Sequence, residues 1–276
     1  MILKTDDDLS LKKIADSGQC FRWKELEDGA YFVPYKERSL IIKELGSGEY
    51  ELDCSEDEYK HLWSDYLDMD LNYAKIRALA DKKSDPFMYE AASAQCGIRI
   101  LRQDPFEALI SFIISQNRNI PAIKNSIELI CERAGKPYKD SRGNVWYSFP
   151  DASELNGMSD DALKECRLGY RFEYIRRTAA AVSCGEFDLR ELRLLDDETC
   201  LAKLQSLHGV GLKVASCMLL YGLHRMDAFP VDVWVKRILT DKYPDGFPFE
   251  AYTPYCGLFQ QYMFAYYRNT SGTDKE

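Results

Sequence analysis

Residues 207–239, LHGVGLKVASCMLLYGLHRMDAFPVDVWVKRIL, hold the groups best suited to chemistry. Gly209-Val210-Gly211 sets two glycines one residue apart between two helical patterns, so the chain can turn tightly and bring bare backbone close to a partner. The first N–H groups of the following helix then point outward, a ready phosphate site. On its own, the same triplet would serve an ordinary helix–helix turn. Lys213 lies two residues past Gly211, in the first turn of an otherwise apolar helix. An ammonium there opposes the helix dipole, burial disfavours the charged form, and a neutral amine is a nucleophile. Without neighbours, such a lysine reads more readily as a snorkelling surface side chain. Asp232 follows in Pro230-Val231-Asp232-Val233. Pro disfavours helix in the residue before it, Asp is a favoured N-cap, and a capping carboxylate that faces a cleft can also stabilise a developing cation.

Helices must hold these groups. Residues 120–134, 159–166, 171–184, 196–206, 212–223, 233–243 and 255–267 read as helical, and Asp104-Pro105 ahead of Phe106, Leu109, Phe112 and Ile113 reads as a capped helix start. From about residue 90 the pattern is helical to the end. The first third differs. Residues 19–23, 30–35, 39–45 and 49–54 are short runs rich in aromatic and β-branched residues. Turn signals at Glu27-Asp28-Gly29 and Gly46-Ser47-Gly48 break them, which predicts an antiparallel meander. Ser55 before three acids starts a helix with an apolar stripe at Tyr59, Leu62, Trp63, Tyr66 and Leu67. The fold class is α+β: a twisted antiparallel β-sheet domain over 1–90, then an all-helical unit over 91–276 with a hairpin near 205–215.

The net charge of −9 argues, taken whole, against a nucleic-acid partner, because neutralising phosphates takes clustered Lys and Arg. The excess is local: residues 1–90 hold 13 Lys and Arg against 21 Asp and Glu. Residues 164–177 and 202–240 each carry a net +3. The longest apolar runs, Val214–Leu223 and Ala108–Ile114, fall far short of the ~18 residues that span a bilayer. The start, MILKTDDDLSLKK, lacks the apolar core of a secretory signal. Nine scattered cysteines without a C-x-x-C pair read as free, mostly buried thiols in a reducing cytoplasm.

Three separated segments resemble the 8-oxoguanine DNA glycosylases of the helix–hairpin–helix superfamily: Gly18–Trp23 (GQCFRW), the hairpin–Lys…Pro-Val-Asp block, and Gly257–Phe264 (GLFQQYMF). Weaker agreement appears in Phe112–Ile120 (FIISQNRNI) and Leu168–Arg171 (LGYR). The middle block alone fits the superfamily; the outer two point to the 8-oxoguanine branch.

That resemblance implies a bifunctional enzyme of base-excision repair acting on duplex DNA that carries 8-oxoguanine. The base is flipped out, since its glycosidic bond is inaccessible in the stack. Lys213 matches the lysine whose amine attacks C1′ and forms a Schiff base that permits β-elimination, and Asp232 the aspartate that stabilises the charged sugar. Gly18 matches the residue whose carbonyl receives the N7–H of the lesion, where guanine has an acceptor instead. Cys217 and Phe264 match the pair that sandwiches the base, and Gln260 the side chain on its Watson–Crick edge. Gln260 and Phe264 are spaced i, i+4 and so share a helix face. Asn117, Tyr170 and Arg171 match groups that fill the gap and contact the orphaned base, while Gly209, Val210 and Gly211 form the DNA-binding hairpin. No cofactor is required, although the hairpin could hold a metal ion through backbone carbonyls. A four-cysteine iron–sulfur cluster is excluded, because only Cys256 follows Cys217. A cytoplasmic monomer is expected, nucleoid-associated if prokaryotic, with no membrane partner.

Two positions depart from the eukaryotic pattern. Ala122 stands where those members have an Arg that reads the opposite cytosine, so preference for that base should be weaker. Trp234 replaces a His that touches the DNA backbone. Two other functions share part of the pattern. A monofunctional glycosylase for alkylated bases would keep the Asp without needing Lys213, and a non-catalytic hairpin DNA-binding module would need neither.

Overall fold

The computed structural model describes residues 1–270. Five antiparallel strands build the N-terminal sheet in the order β1-β5-β4-β3-β2: β1 (Ile2–Lys4), β2 (Lys24–Glu25), β3 (Tyr31–Tyr35), β4 (Arg38–Gly46) and β5 (Glu49–Leu52). Alternation along β3 and β4 points Tyr31, Val33, Leu40 and Ile42 inward, onto Leu11 and Ile14 of α1 (Leu11–Asp16) and onto Trp63 and Tyr66. The Ser55 hydroxyl caps the helical stretch that carries those two aromatics by accepting from Glu58 N–H at 3.1 Å.

The meander differs from expectation at its edges. Gln19–Trp23 is not a strand, although its composition suits one. Its side chains instead tie the sheet to the helices. Gln19 donates to Arg99 O at 2.7 Å and accepts from Leu101 N–H at 2.9 Å, and Arg22 donates to Tyr147 O at 2.5 Å. The outer strand comes from the N-terminus, where Leu3 pairs with Tyr50. The turn between β3 and β4 uses Lys36 at φ 52°, with neither Gly nor Pro to announce it.

The remaining residues form mostly short helices around a second, larger core. Those that matter for the site are α2 (Pro105–Ser115), α3 (Ile120–Ala134), α4 (Arg171–Ser183), α5 (Asp197–Gln205), α6 (Leu212–Cys217), α7 (Val233–Lys242) and α8 (Cys256–Thr270). Asp104 caps α2 through Phe106 and Glu107, and Asp196 caps α5 through Thr199. This part is not helical throughout: β6 (Pro137–Lys139) pairs with β7 (Val145–Tyr147), turning at Gly143. The helix expected over 212–223 changes pitch after Cys217 into a wider turn, Met218–Gly222, and helix Pro86–Ala94 packs against α8 across the expected domain boundary. Among the described residues no helix is long and apolar enough to cross a membrane.

Candidate active site

α6 starts at the hairpin. Gly209 adopts φ +82°, and a Cβ there would lie 2.2 Å from Tyr174 Cγ, so the close pass of the chain over that ring demands glycine. Gly211 is the N-cap of α6, with nothing within 4 Å of where its Cβ would be. The two glycines thus do different things: one permits packing, and the other leaves the backbone open. Gln116 donates to Gly209 O at 3.2 Å and Val210 N–H to Leu207 O at 3.0 Å. A cation held by hairpin carbonyls would share these two oxygens with internal donors. Among the described residues no cluster of His, Cys, Asp or Glu is arranged for a metal.

Lys213 is half-buried on the first turn of α6, its ammonium 5.5 Å from the centroid of the Phe112 ring. Asp232 caps α7 by accepting from Val235 N–H at 2.8 Å. Both reach one small cavity of about 50 Å³, whose walls also include Gly18, Cys217, Gln260 and Phe264. All six residues singled out for catalysis and base recognition therefore converge there, from four separate segments of the chain. Burial raises the Cys217 thiol pKa against the opposing pull of the neighbouring Lys213 ammonium, and it raises that of the Tyr221 hydroxyl far above its ordinary value.

Two adjacent glutamines on α8 divide the labour. Gln261 is fully engaged: it accepts from Tyr221 Oη and donates to Ser17 O at 2.9 Å. Gln260 is 4% exposed, yet its Oε1 has no hydrogen-bond partner. A buried acceptor left unpaired costs roughly 1–3 kcal/mol, so it persists where a ligand completes it. Gly18 has φ +80°, and a Cβ there would stand 3.8 Å from Phe264 Cε1, which sets the turn directly against the ring.

The rim is built from the other sequence-predicted residues. Asn117, at φ 50°, is exposed and donates to Tyr170 Oη at 3.2 Å; Tyr170 is 51% exposed. Arg171 differs from expectation, being only 6% exposed. Its guanidinium donates to the carbonyls of Gln116, Leu168 and Asn117. It braces the strained turn that presents Asn117 rather than reaching outward itself.

Beyond the small cavity lies a cleft of about 1260 Å³. Seven cations line it, among them Lys12, Lys124 and Arg237, against the two carboxylates of Asp16 and Asp232. Sequence reasoning passed over Lys12, Lys13 and Arg268. The first two sit in the acidic third of the chain, where a running sum hides them. Arg268 is one helical turn past Phe264, a spacing that could have exposed it. Trp234 also lines the cleft, and the Arg237 guanidinium lies 4.9 Å from its ring centroid.

A family model described as the N-terminal domain of 8-oxoguanine DNA glycosylase matches residues 1–109, and one described as the HhH-GPD superfamily base excision DNA repair protein matches 110–244. The N-glycosylase/DNA lyase OGG1 of Arabidopsis thaliana is 30% identical over 246 residues, 86% of this chain and 67% of its own length. The chain belongs to the 8-oxoguanine DNA glycosylase family. The 8-oxoguanine glycosylase/lyase of Clostridium acetobutylicum, solved with duplex DNA holding cytosine opposite 8-oxoguanine, superposes with TM-score 0.88 at 35% identity, covering 98% of both chains. MBOgg1, solved with a low-affinity DNA ligand, superposes with TM-score 0.91 at 36% identity, covering 98% of this family member and 96% of its own chain.

Proposed function

We propose that the chain is a bifunctional DNA glycosylase and lyase that removes 8-oxoguanine from duplex DNA. One observation carries this reading: Lys213, Asp232 and the unpaired Oε1 of Gln260 open into one cavity at the floor of a cationic cleft. The cleft takes the phosphate backbone, and the cavity takes the extruded base. Phe264 and Cys217 flank that base, Gln260 Oε1 accepts from its Watson–Crick edge, and the Gly18 carbonyl accepts from N7–H. Guanine, whose N7 is an acceptor, would leave that carbonyl unpaired.

The amine of Lys213 attacks C1′. The C1′–N9 bond breaks, its electron pair leaves with the base, and the Asp232 carboxylate stabilises the positive charge that builds on the sugar. The C1′–O4′ bond then opens as nitrogen gives up a proton and O4′ takes one up. The resulting iminium acidifies C2′, so that loss of a C2′ proton breaks the C3′–O bond and expels the 3′ phosphate. The exposed Tyr170 and Asn117 occupy the gap in the duplex. With Ala122 in place of an arginine, no guanidinium reads the opposite cytosine from this position, so excision should vary less with the opposite base. The protein acts on duplex DNA as a monomer, and its nine free thiols, six of them buried, suit a reducing cytoplasm.

Borohydride reduction during incubation with an 8-oxoguanine duplex tests the reading. Wild type should yield a covalent protein–DNA adduct, and Lys213→Gln none. Base release from wild type without an adduct would favour a monofunctional enzyme. Lesion binding with no base release at all would leave only a binding module.

A further inference from the structure

One cation of the cleft is held in a way that phosphate binding does not explain. Arg268 lies one turn past Phe264 on α8, and its Nη2 donates to the Asp16 carbonyl at 2.5 Å. That bond ties the last helix to the end of α1, two residues before Gly18. Its Nε and Nη1 are buried and have no acceptor. The guanidinium carbon is 5.7 Å from the centroid of the Phe264 ring, and Nη1 lies 3.8 Å from where a Cβ of Gly18 would be, the same distance as Phe264 Cε1. Attraction between a guanidinium and an aromatic face accounts for donors that survive without oxygen partners. The same burial keeps those N–H groups from a phosphate.

We propose that Arg268 is a positioning residue for lesion selection, a spacer that sets the gap between the Gly18 turn and the Phe264 ring. The proposal rests on the glycosylase reading above. Phe264 would otherwise be free to swing toward the space Arg268 occupies, and the carbonyl that reads N7–H would lose its fixed distance from the ring that stacks on the base. An abasic site carries no base, so its cleavage calls on Lys213 and the cleft but not on this gap.

Single-turnover kinetics on two duplexes separate the roles: one holds 8-oxoguanine, the other a preformed abasic site in the same sequence. Arg268→Met should slow base release about tenfold, while abasic-site cleavage falls by no more than about twofold, the part owed to lost cleft charge. Arg268→Lys, which restores a cation over the ring, should recover most of the base release. A matching melting temperature for the variants excludes simple misfolding. Equal losses on both substrates, or no loss on either, would overturn the proposal. A wild type that cleaves abasic DNA but never releases 8-oxoguanine overturns the glycosylase reading itself, and the selection role with it, before any variant is compared.

Discussion

Asp232 does two jobs with one carboxylate, and substitutions can separate them. Asn caps a helix as well as Asp does. Asp232→Asn should therefore keep the bond to Val235 N–H and the melting temperature while base release falls roughly a hundredfold, the scale seen when one preorganised electrostatic group is removed. Asp232→Ala should add the loss of the cap, about 1 kcal/mol, visible as a few degrees in a thermal melt. If Asp232→Asn released base at the wild-type rate, the residue would be a cap and nothing more. The glutamine pair makes the opposite test. Gln260→Leu removes a buried acceptor that no internal donor satisfies, so stability should hold or rise while preference for the lesion duplex over undamaged DNA drops. Gln261→Leu strands Tyr221 Oη and Ser17 O and should cost about 1–3 kcal/mol in a denaturant melt. A destabilised Gln260→Leu would show that its side chain is structural after all.

At the level of elements, the hairpin sets the approach of backbone to DNA, and its glycines should answer differently to one added methyl. Gly209→Ala meets the Tyr174 ring and a positive φ together. The backbone penalty alone is ~1–2 kcal/mol, so the thermal midpoint should fall clearly. Gly211→Ala meets nothing and has φ −89°, so the fold should be unaffected while duplex affinity by fluorescence anisotropy weakens. An unaltered affinity would mean the DNA backbone does not pass there. The same elements show what the sequence made legible. Helices with a periodic apolar face and an Asp or Ser cap, such as α2 and α5, were readable because the signals are local. So was the convergence of Lys213, Asp232, Gln260 and Phe264, through motif order. Gln19–Trp23 was misread as a strand because its aromatic residues pack against two units at once, and burial on both sides mimics strand composition. The β6–β7 hairpin is too short to raise a period above its helical surroundings. Arg171 is assigned to the orphaned base by the likeness of Leu168–Arg171 alone; the carbonyls that bury it come chiefly from residues 116–117, more than fifty positions away.

Across the whole molecule, charge matters where it lies in space, and sums along the chain mislead about that. The two segments with net +3 spend part of their charge internally. Arg176 pairs with Asp160 at 2.9 Å, Arg225 binds Asp197 and the carbonyls of Leu192 and Leu195, and Lys203 is taken by Glu191. The cleft takes Lys213 and Arg237 from the second of these segments and adds Lys12 and Lys13 from the most acidic third and Lys124 from α3. The net −9 thus belongs mainly to other faces, and it should hold nonspecific affinity low while the cleft still captures duplex. Binding to undamaged DNA should weaken as salt rises, in proportion to the phosphates the cleft neutralises. Arg237→Ala should flatten the plot of log affinity against log salt by a slope of about 1, uniformly across sequences. Lys203→Ala, which removes an equal charge from a cation already paired, should leave the slope as it was. If the two variants changed the slope alike, DNA would be responding to total charge, and the cleft would not be the surface that carries it.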